Sequence, residues 1–324
     1  MHIGIMSASL KGARLHENRR LIEEIEELGH QAQIINYRQT AVAVTENGRA
    51  VYGYDKNDDP QPIEVDAVIP RIGRFVESGA MVLRLLTLNG VFSTATPEAV
   101  LKAKNKMVTH MILDQAGIPT PYTISPTGVK PTNPKPTLKL IQPEAKAPTI
   151  LKTNTGSHGH GVILTESRRS AVSQVQALQA NSIPYLIQEF AETAEETTLA
   201  SDLRLIVVDS LVIAAMKRVA RDNEEFRSNL SLQGTGEPYE PTPREAELAI
   251  KSCEVLGVSV GGVDIIPSKR GPLVNEVNVS PEFGIEKVTG VNVARSIVSL
   301  AIKHFEDNKV PAVEMLEAAA SGTG

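Results

Sequence analysis

Residues 260–278 read Val260-Gly-Gly-Val-Asp-Ile-Ile-Pro-Ser-Lys-Arg-Gly-Pro-Leu-Val-Asn-Glu-Val-Asn278. Two apolar runs, Val260 to Ile266 and Pro272 to Asn278, flank the polar stretch Ser268-Lys-Arg-Gly271, which is the pattern of a β-hairpin. With the turn centred on Arg270, Asp264 sits directly opposite Glu276. Side chains paired in this way lie roughly 5 Å apart. Asn278, two residues beyond Glu276, joins the same face. Three oxygen donors on one face, two of them neighbouring carboxylates, suit Mg²⁺. That ion takes one or two carboxylates and leaves its other positions to water and phosphate. Without a cation the two acids would repel, and one would have to stay protonated. A solvated hairpin with incidental acids is the competing reading. The apolar neighbours argue against it, because the acids interrupt what is otherwise a core strand.

Upstream, Thr149-Ile-Leu-Lys152 is a short strand leading into Thr153-Asn-Thr-Gly-Ser-His-Gly-His-Gly161 and a second strand, Val162 to Thr165. These glycines precede no helix. They therefore form neither a Walker loop nor a Rossmann turn, whose phosphates need a helix N-terminus. A loop between strands can instead fold over phosphates, using backbone N–H groups and the hydroxyls of Thr155 and Ser157. Lys152 stands where a phosphate oxygen would meet it. A plain Gly-rich hairpin turn explains the same residues, and His158 and His160 read as solvated, not metal-binding. Further on, Arg227-Ser-Asn229 reads as loop; an arginine beside an amide can bind a phosphate or a tetrahedral oxyanion in a forked geometry. Asp202 and Arg204 share one side of a strand start, and Lys217-Arg218 end the next strand. Taken singly, each reads as a surface charge.

The rest of the chain frames these stretches. His2 to Met6, Gln33 to Asn36 and Val65 to Pro70 are strand-like. Leu21, Ile22, Ile25 and Leu28 mark a helix face stopped by Gly29, and a second helix passes through Val82, Leu83, Leu85, Leu86 and Leu88. The order predicts a small parallel α/β domain ending near residue 92. A helical stretch from about Pro97 to Ala116 follows, then residues 126–148, too proline-rich for a core strand and read as a loop. From Ser167 to Ala180 and around Leu248 to Leu256 the spacing predicts helices. A last helix carries Ile297, Val298 and Ala301, and residues from about 310 read as frayed. The boundaries are 1–92, 93–185, 186–309 and a flexible tail 310–324. The 324 residues carry a net charge of −5, so no basic field recruits nucleic acid. No apolar run reaches the length of a membrane span, and the N-terminus reads as a strand, not a signal peptide. The one cysteine, Cys253, excludes an intramolecular disulfide, fits a reducing, cytoplasmic setting and reads as a small buried apolar residue.

Together these pieces resemble the ATP-grasp superfamily and, within it, the RimK-like α-L-glutamate ligases. The resemblance runs over about residues 1–305. It is carried by Ile69-Pro-Arg-Ile-Gly73, Lys104-Asn-Lys106, Ala116-Gly-Ile-Pro-Thr-Pro121, the Lys152 strand and Gln188-Glu189. It continues in Asp202-Leu-Arg204, Phe226-Arg-Ser-Asn-Leu230, Gly262-Val-Asp264, Asn275-Glu-Val-Asn278 and Gly284-Ile-Glu-Lys-Val-Thr-Gly290. The fold it implies is an α/β one: a pre-ATP-grasp domain followed by two α+β lobes that clasp ATP. By the same resemblance Lys106 and Lys152 contact phosphates, and the hinge strand with Gln188, Glu189 and Phe190 faces adenine. Asp202 lies near the nucleotide, and Arg227, Ser228 and Asn229 face the reacting phosphate. Asp264, Glu276 and Asn278 match the ligands of Mg²⁺ (or Mn²⁺), with two ions implied. Position in the family also offers Arg71 and Arg204 to a substrate carboxylate. The chain departs from the family at Asn278-Val-Ser-Pro-Glu-Phe-Gly-Ile-Glu286, which is one residue short and has Glu282 where glycine is usual.

The implied reaction is ATP-dependent amide bond formation through an acyl phosphate, adding L-glutamate to a peptide or protein C-terminus. Ligases that glutamylate a cofactor or an amino-acid carrier, or that make free peptides, share the same site. A non-catalytic ATP-binding regulator is the reading from another class, disfavoured because a binder needs fewer of these residues. The partners implied are an amino acid, an acceptor that is a peptide, protein or small molecule, and further copies of the chain in a homo-oligomer.

Overall fold

A computed structural model describes residues 1–9, 11–46, 48–127, 133–141, 148–153, 161–193, 200–221 and 234–321, with side chains to residue 307. The chain opens with β1 (His2–Ser7), α1 (His16–Glu27) and β2 (Gln31–Asn36). A meander follows: β3 (Ala41–Thr45), β4 (Gly48–Tyr54) and β5 (Pro60–Pro62). Then come β6 (Ala67–Pro70), α2 (Val76–Leu88) and β7 (Phe92–Ser93). Strands β2-β1-β6-β7 form a parallel sheet, as the alternation of strands and helices predicts. Leu21 and Ile25 of α1 cover one face of it with Ile297 and Val298, and Val82, Leu83 and Leu86 of α2 cover the other. The meander β3-β4-β5 is a separate antiparallel sheet that the pattern did not announce. Its Val42 and Val44 alternate but are exposed, so they lack the apolar contrast that marks a half-buried strand.

The stretch expected as one helix from Pro97 to Ala116 is two: α3 (Pro97–Lys104) and α4 (Lys106–Gln115). Thr96 caps α3, accepting from the Ala99 N–H at 3.0 Å. Asn105 is extended, ends α3, and caps α4 through Val108 N–H at 3.2 Å. An asparagine that can bond its own following turn competes with helix continuation there. The central lobe then contains β8 (Thr123–Ile124), α5 (Lys135–Ile141), β9 (Thr149–Thr153), β10 (Val162–Thr165), α6 (Arg168–Ala180) and β11 (Tyr185–Glu189). Its sheet runs β10-β9-β11-β8, so it reaches as far as Glu189. Helix α5 corrects the reading of 126–148 as loop throughout. Prolines end helices but are tolerated at their first turn, and Leu138 is fully buried against Leu151, Ala171 and Val175.

The C-terminal lobe holds β12 (Ser201–Val208), β13 (Leu211–Val219), β14 (Thr235–Pro238), α7 (Pro243–Leu256), β15 (Val260–Ser268), β16 (Gly271–Asn278), α8 (Gly284–Thr289) and α9 (Val293–Ser321). The antiparallel order is β14-β13-β12-β15-β16. One face packs on α7 through Leu248, Ala249 and Leu256. Helix α7 ends where the sequence predicts, at Gly257 in the left-handed region (φ 74°). The backbone of α9 is helical to Ser321, past residue 310. It carries Ile297 and Val298 into a core shared by β1, α1 and Ile206 of β12, which ties the first domain to the last sheet. Cys253 is buried in the α7 core, and burial pushes its thiol up to about 12, in keeping with an apolar role. Among the described residues no helix is long and apolar enough to cross a membrane.

Replacing Leu138 by alanine should cost about 2–4 kcal/mol, as for other buried leucines. Urea unfolding measures it; a loss below about 0.5 kcal/mol, typical of surface positions, would show that α5 is no part of the core.

Candidate active site

Two-residue turn Lys269-Arg270 joins β15 to β16, with Ser268 paired to Gly271. From such a turn a regular ladder would set Asp264 opposite residue 275. The observed register shifts between Ile265 and Asp264, leaving Asn275 as an extra residue and bringing Asp264 opposite Glu276. The expected acid pair is therefore present, produced by a β-bulge and not by a turn centred on Arg270. Gly262 pairs with Asn278 at the next step.

Asp264 is buried, and so are the two arginines beside it, Arg204 and Arg218. Arg204, directly across on β12, grips it with two bonds: Nε to Oδ1, and Nη2 to Oδ2 at 2.9 Å. Arg218 of β13 lies 3.1 Å from Asp264 Oδ2 through Nη2. It also donates from Nε to Asp202 Oδ1 at 2.8 Å and from Nη2 to Asp202 Oδ2. The four groups form a chain of alternating charge, Arg204–Asp264–Arg218–Asp202. Burial drives the Asp264 pKa up, but the two guanidiniums more than offset it and hold the carboxyl below its usual range. For Arg218 burial works the other way and is again outweighed, here by Asp202 and Asp264, so its pKa is raised. Glycine at 262 makes room for this packing: a Cβ there would come within 2.9 Å of the Pro281 Cβ and 3.5 Å of Arg204 Nη1. Arg218, read from sequence as a surface charge, is 4% exposed.

Lysines approach from the central lobe and its approach helices. Lys106, at the first turn of α4, has its Nζ 3.9 Å from Glu276 Oε1. Lys152, at the end of β9, donates to Asn275 Oδ1 at 2.8 Å. Burial, with repulsion from Lys106, pushes Lys152 down to about 8 against the pull of Glu276, Asp264 and Asp202. Lys104 is lowered by burial and then by Lys106. His110 on α4 is pushed down to about 4 by burial, Lys152 and Lys106, so its imidazole is neutral. Cations crowded until they hold their protons less tightly mark a place built to receive an anion.

The three residues expected at the hinge divide. Gln188 is buried and donates to Thr123 Oγ1 at 3.0 Å, with His110 Nε2 at 3.4 Å. The Glu189 carboxylate turns toward the β15–β16 turn, where it accepts from Arg270 and, at 2.9 Å, from the Tyr122 N–H. Phe190 is exposed. Arg71, just past β6, donates to the Pro281 carbonyl at 2.7 Å and lies over Phe283 at 5.1 Å, so the first domain meets the segment that follows Asn278. Gly161 closes the Gly-rich stretch against β9 in the left-handed region (φ 80°), where a Cβ would meet Thr153 Oγ1 at 2.3 Å. Thr155, Ser157, His158 and His160, with Arg227, Ser228 and Asn229, lie outside the described residues.

Asp264, Glu276 and Asn278 offer oxygen only, the donor chemistry of Mg²⁺ or Mn²⁺. Among the described residues neither the Glu276 carboxylate nor the Asn278 amide forms a hydrogen bond. Among the described residues Asp264 Oδ1 accepts only from Arg204 and keeps a lone pair. The set fits a hard cation. From the sequence Arg218 reads only as a surface charge, and Asn275, Lys104 and His110 are given no role; of the four, Arg218 carries a signal, its place two strands from Asp264 on a face already holding Asp202 and Arg204.

A three-part α/β chain with acids on an antiparallel sheet, one lysine from a second sheet and others from the helices before it is the arrangement of an ATP-grasp protein. Solved structures bear out the fold. The ATP-grasp ligase PsnB, complexed with a phosphomimetic variant of its minimal precursor, Mg and ADP, matches with a TM-score of 0.68 and 19% identity over 93% of this chain and 97% of that one. D-alanine–D-alanine ligase from Bacillus anthracis, complexed with ATP, matches at 0.66 and 16% over 95% and 99%. Residues 1–100 match the RimK PreATP-grasp domain and residues 103–301 the RimK-like ATP-grasp domain, and the chain belongs to that RimK-like ATP-grasp family. A relative named probable alpha-L-glutamate ligase, from Xanthomonas oryzae pv. oryzae (strain MAFF 311018), is 39% identical over 311 residues, 95% of this chain and 98% of its own.

A lysine whose folded pKa of about 8 lies below its unfolded 10.5 destabilises the fold while both states are protonated, and the cost fades between those values as the folded form alone deprotonates. The raised Cys253 thiol acts in the opposite sense above pH 9 in wild type and variant alike, so the difference between them isolates Lys152. Lys152→Met should be more stable than wild type at pH 7 by on the order of 1–3 kcal/mol, and that gap should close between pH 8 and 10.5. Chemical unfolding across pH measures both; a destabilised variant would contradict the assignment.

Proposed function

We propose that this protein adds L-glutamate to the carboxyl terminus of a peptide or protein. The reaction class follows from the family: an ATP-grasp ligase makes an amide bond at the expense of ATP. Glutamate as the amine is supported by the relatives named probable alpha-L-glutamate ligase. The observation that carries the reading is the Asp264–Glu276 pair with Lys106 and Lys152 beside it.

The chemistry proceeds in two steps. The acceptor carboxylate attacks the γ-phosphorus of ATP, ADP leaves, and an acyl phosphate remains. The neutral amine of glutamate then attacks the acyl carbon and expels phosphate. Free α-amines have a pKa of roughly 8, so a usable fraction is neutral near pH 7 to 8. Lys106 and Lys152 bind the polyphosphate, and the strand of Gln188, Glu189 and Phe190 carries the adenine, with the Glu189 side chain bracing the hinge. Asp264, Glu276 and Asn278 would hold two Mg²⁺ ions, which would supply positive charge against the negative charge developing on the phosphates. Asp202 serves the nucleotide end of the site through Arg218, whose guanidinium engages both its oxygens. By resemblance Arg227, Ser228 and Asn229 stabilise the acyl phosphate and the tetrahedral oxyanion. Arg204 is committed to Asp264, which leaves Arg71 as the candidate for a substrate carboxylate. The same reading takes the protein as a cytoplasmic homo-oligomer.

Purified protein given ATP, Mg²⁺, a panel of amino acids and peptide, protein or small-molecule acceptors should release ADP only when glutamate and a peptide or protein acceptor are both present. Mass spectrometry should find glutamate on the acceptor's C-terminus. Product on a small molecule alone would move the acceptor class, and ATP binding without any stimulated turnover would favour a regulator. Glu276→Ala should abolish Mg²⁺-dependent turnover with its circular dichroism unchanged; full activity would remove Glu276 from the metal site. Arg227→Ala should lower kcat by about a hundredfold or more while ATP affinity changes little, as for a group that acts on the transition state. Equal losses would make it a simple binding residue.

A further inference from the structure

We propose that Asn275 is a positioning residue: from the hairpin of the C-terminal lobe it holds the Lys152 ammonium of the central lobe in place for the nucleotide phosphates. The inference rests on the reading of Lys152 as a phosphate ligand.

Asn275 is the residue that the β15–β16 ladder leaves without a cross-strand partner. A regular strand would send residues 275 and 276 to opposite faces. Here Val274 and Val277 are the buried pair, and Asn275 and Glu276 between them are both partly exposed, so the bulge keeps two successive side chains off the core. An apolar residue at the bulge would restore the Asp264–Glu276 register equally well. The amide does something a hydrocarbon cannot: its Oδ1 accepts from Lys152 Nζ at 2.8 Å across two different sheets.

The choice of an amide also has a chemical reason. Lysine ends a flexible four-carbon stem, and the neighbouring Lys106 repels it. A restraint is needed, but a carboxylate there would neutralise the charge that the phosphates are to meet. A neutral acceptor takes one of the three ammonium N–H donors and leaves two for the nucleotide.

The test uses the full-length protein carrying Asn275→Leu, Lys152→Met, or both. Asn275→Leu is close in size and lacks the acceptor. It should raise the Kd and KM for ATP about tenfold, the size expected for one hydrogen bond to a charged group. The Kd for adenosine, which has no phosphates, should not move, and the KM for ATP should rise by more than kcat falls. In the Lys152→Met background the same substitution should add no further loss. Asn275→Ala carries the same expectations if the leucine variant does not fold. An ATP affinity within about twofold of wild type, where Lys152→Met loses affinity, would overturn the role of Asn275 alone. So would a loss that persists undiminished in the Lys152→Met background. Wild-type ATP affinity in Lys152→Met itself would remove the phosphate reading, and this inference with it.

Discussion

One extra residue in a hairpin decides which side chains meet at the centre of this protein. Because strand side chains alternate with a period of two, a one-residue shift in register carries a whole strand's pattern to the other face. Asn275 supplies that shift within β16. Beyond the bulge, Glu276 and Asn278 lie on the face of Asp264 and Arg204; before it, Leu273 and Val274 remain in the core. The tight Lys269-Arg270 turn and the acid pair could not coexist without it.

The acids then have to be tolerated inside a fold. A carboxylate as deeply buried as Asp264 is costly unless it is paired and hydrogen-bonded. Arg204 and Arg218 satisfy it, and Asp202 in turn satisfies Arg218, so the buried chain is neutral overall. Such a chain contributes more to geometry than to stability. Removing one member would strand the others, whereas an apolar replacement of the whole set could be equally stable. Its presence is best understood as a scaffold that fixes Asp264 beside the half-exposed Glu276.

The opposite lobe is arranged with the reverse bias. Lys104, Lys106 and Lys152 stand around one carboxylate, Glu276, and two of them hold their protons less tightly than free lysine. That crowding is unfavourable until an anion arrives. The lobes are also strapped together at the far end of the hairpin. Arg270 pairs with Glu189 and covers the Tyr122 ring at 4.2 Å, and Lys269 pairs with Glu192 at 2.7 Å. The same turn that limits the register thus also braces the end of β11.

Local chemistry made much of this legible in the residues alone. The hairpin showed itself by two apolar runs around Ser268-Lys-Arg-Gly271, α7 by its stop at Gly257, and the first domain by alternating strand and helix patterns, because each signal lies within a few neighbouring residues. The family resemblance, carried by motifs in order along the chain, was equally a property of sequence. What the tertiary structure decided is different in kind. The bulge at Asn275, the burial of Arg218 and the meeting of Lys152 with Asn275 depend on strands far apart in sequence. Helix α5 likewise appears only because Leu138 finds a core to enter. Side chains are assigned to water or to a partner by what packs against them, and no local pattern states that.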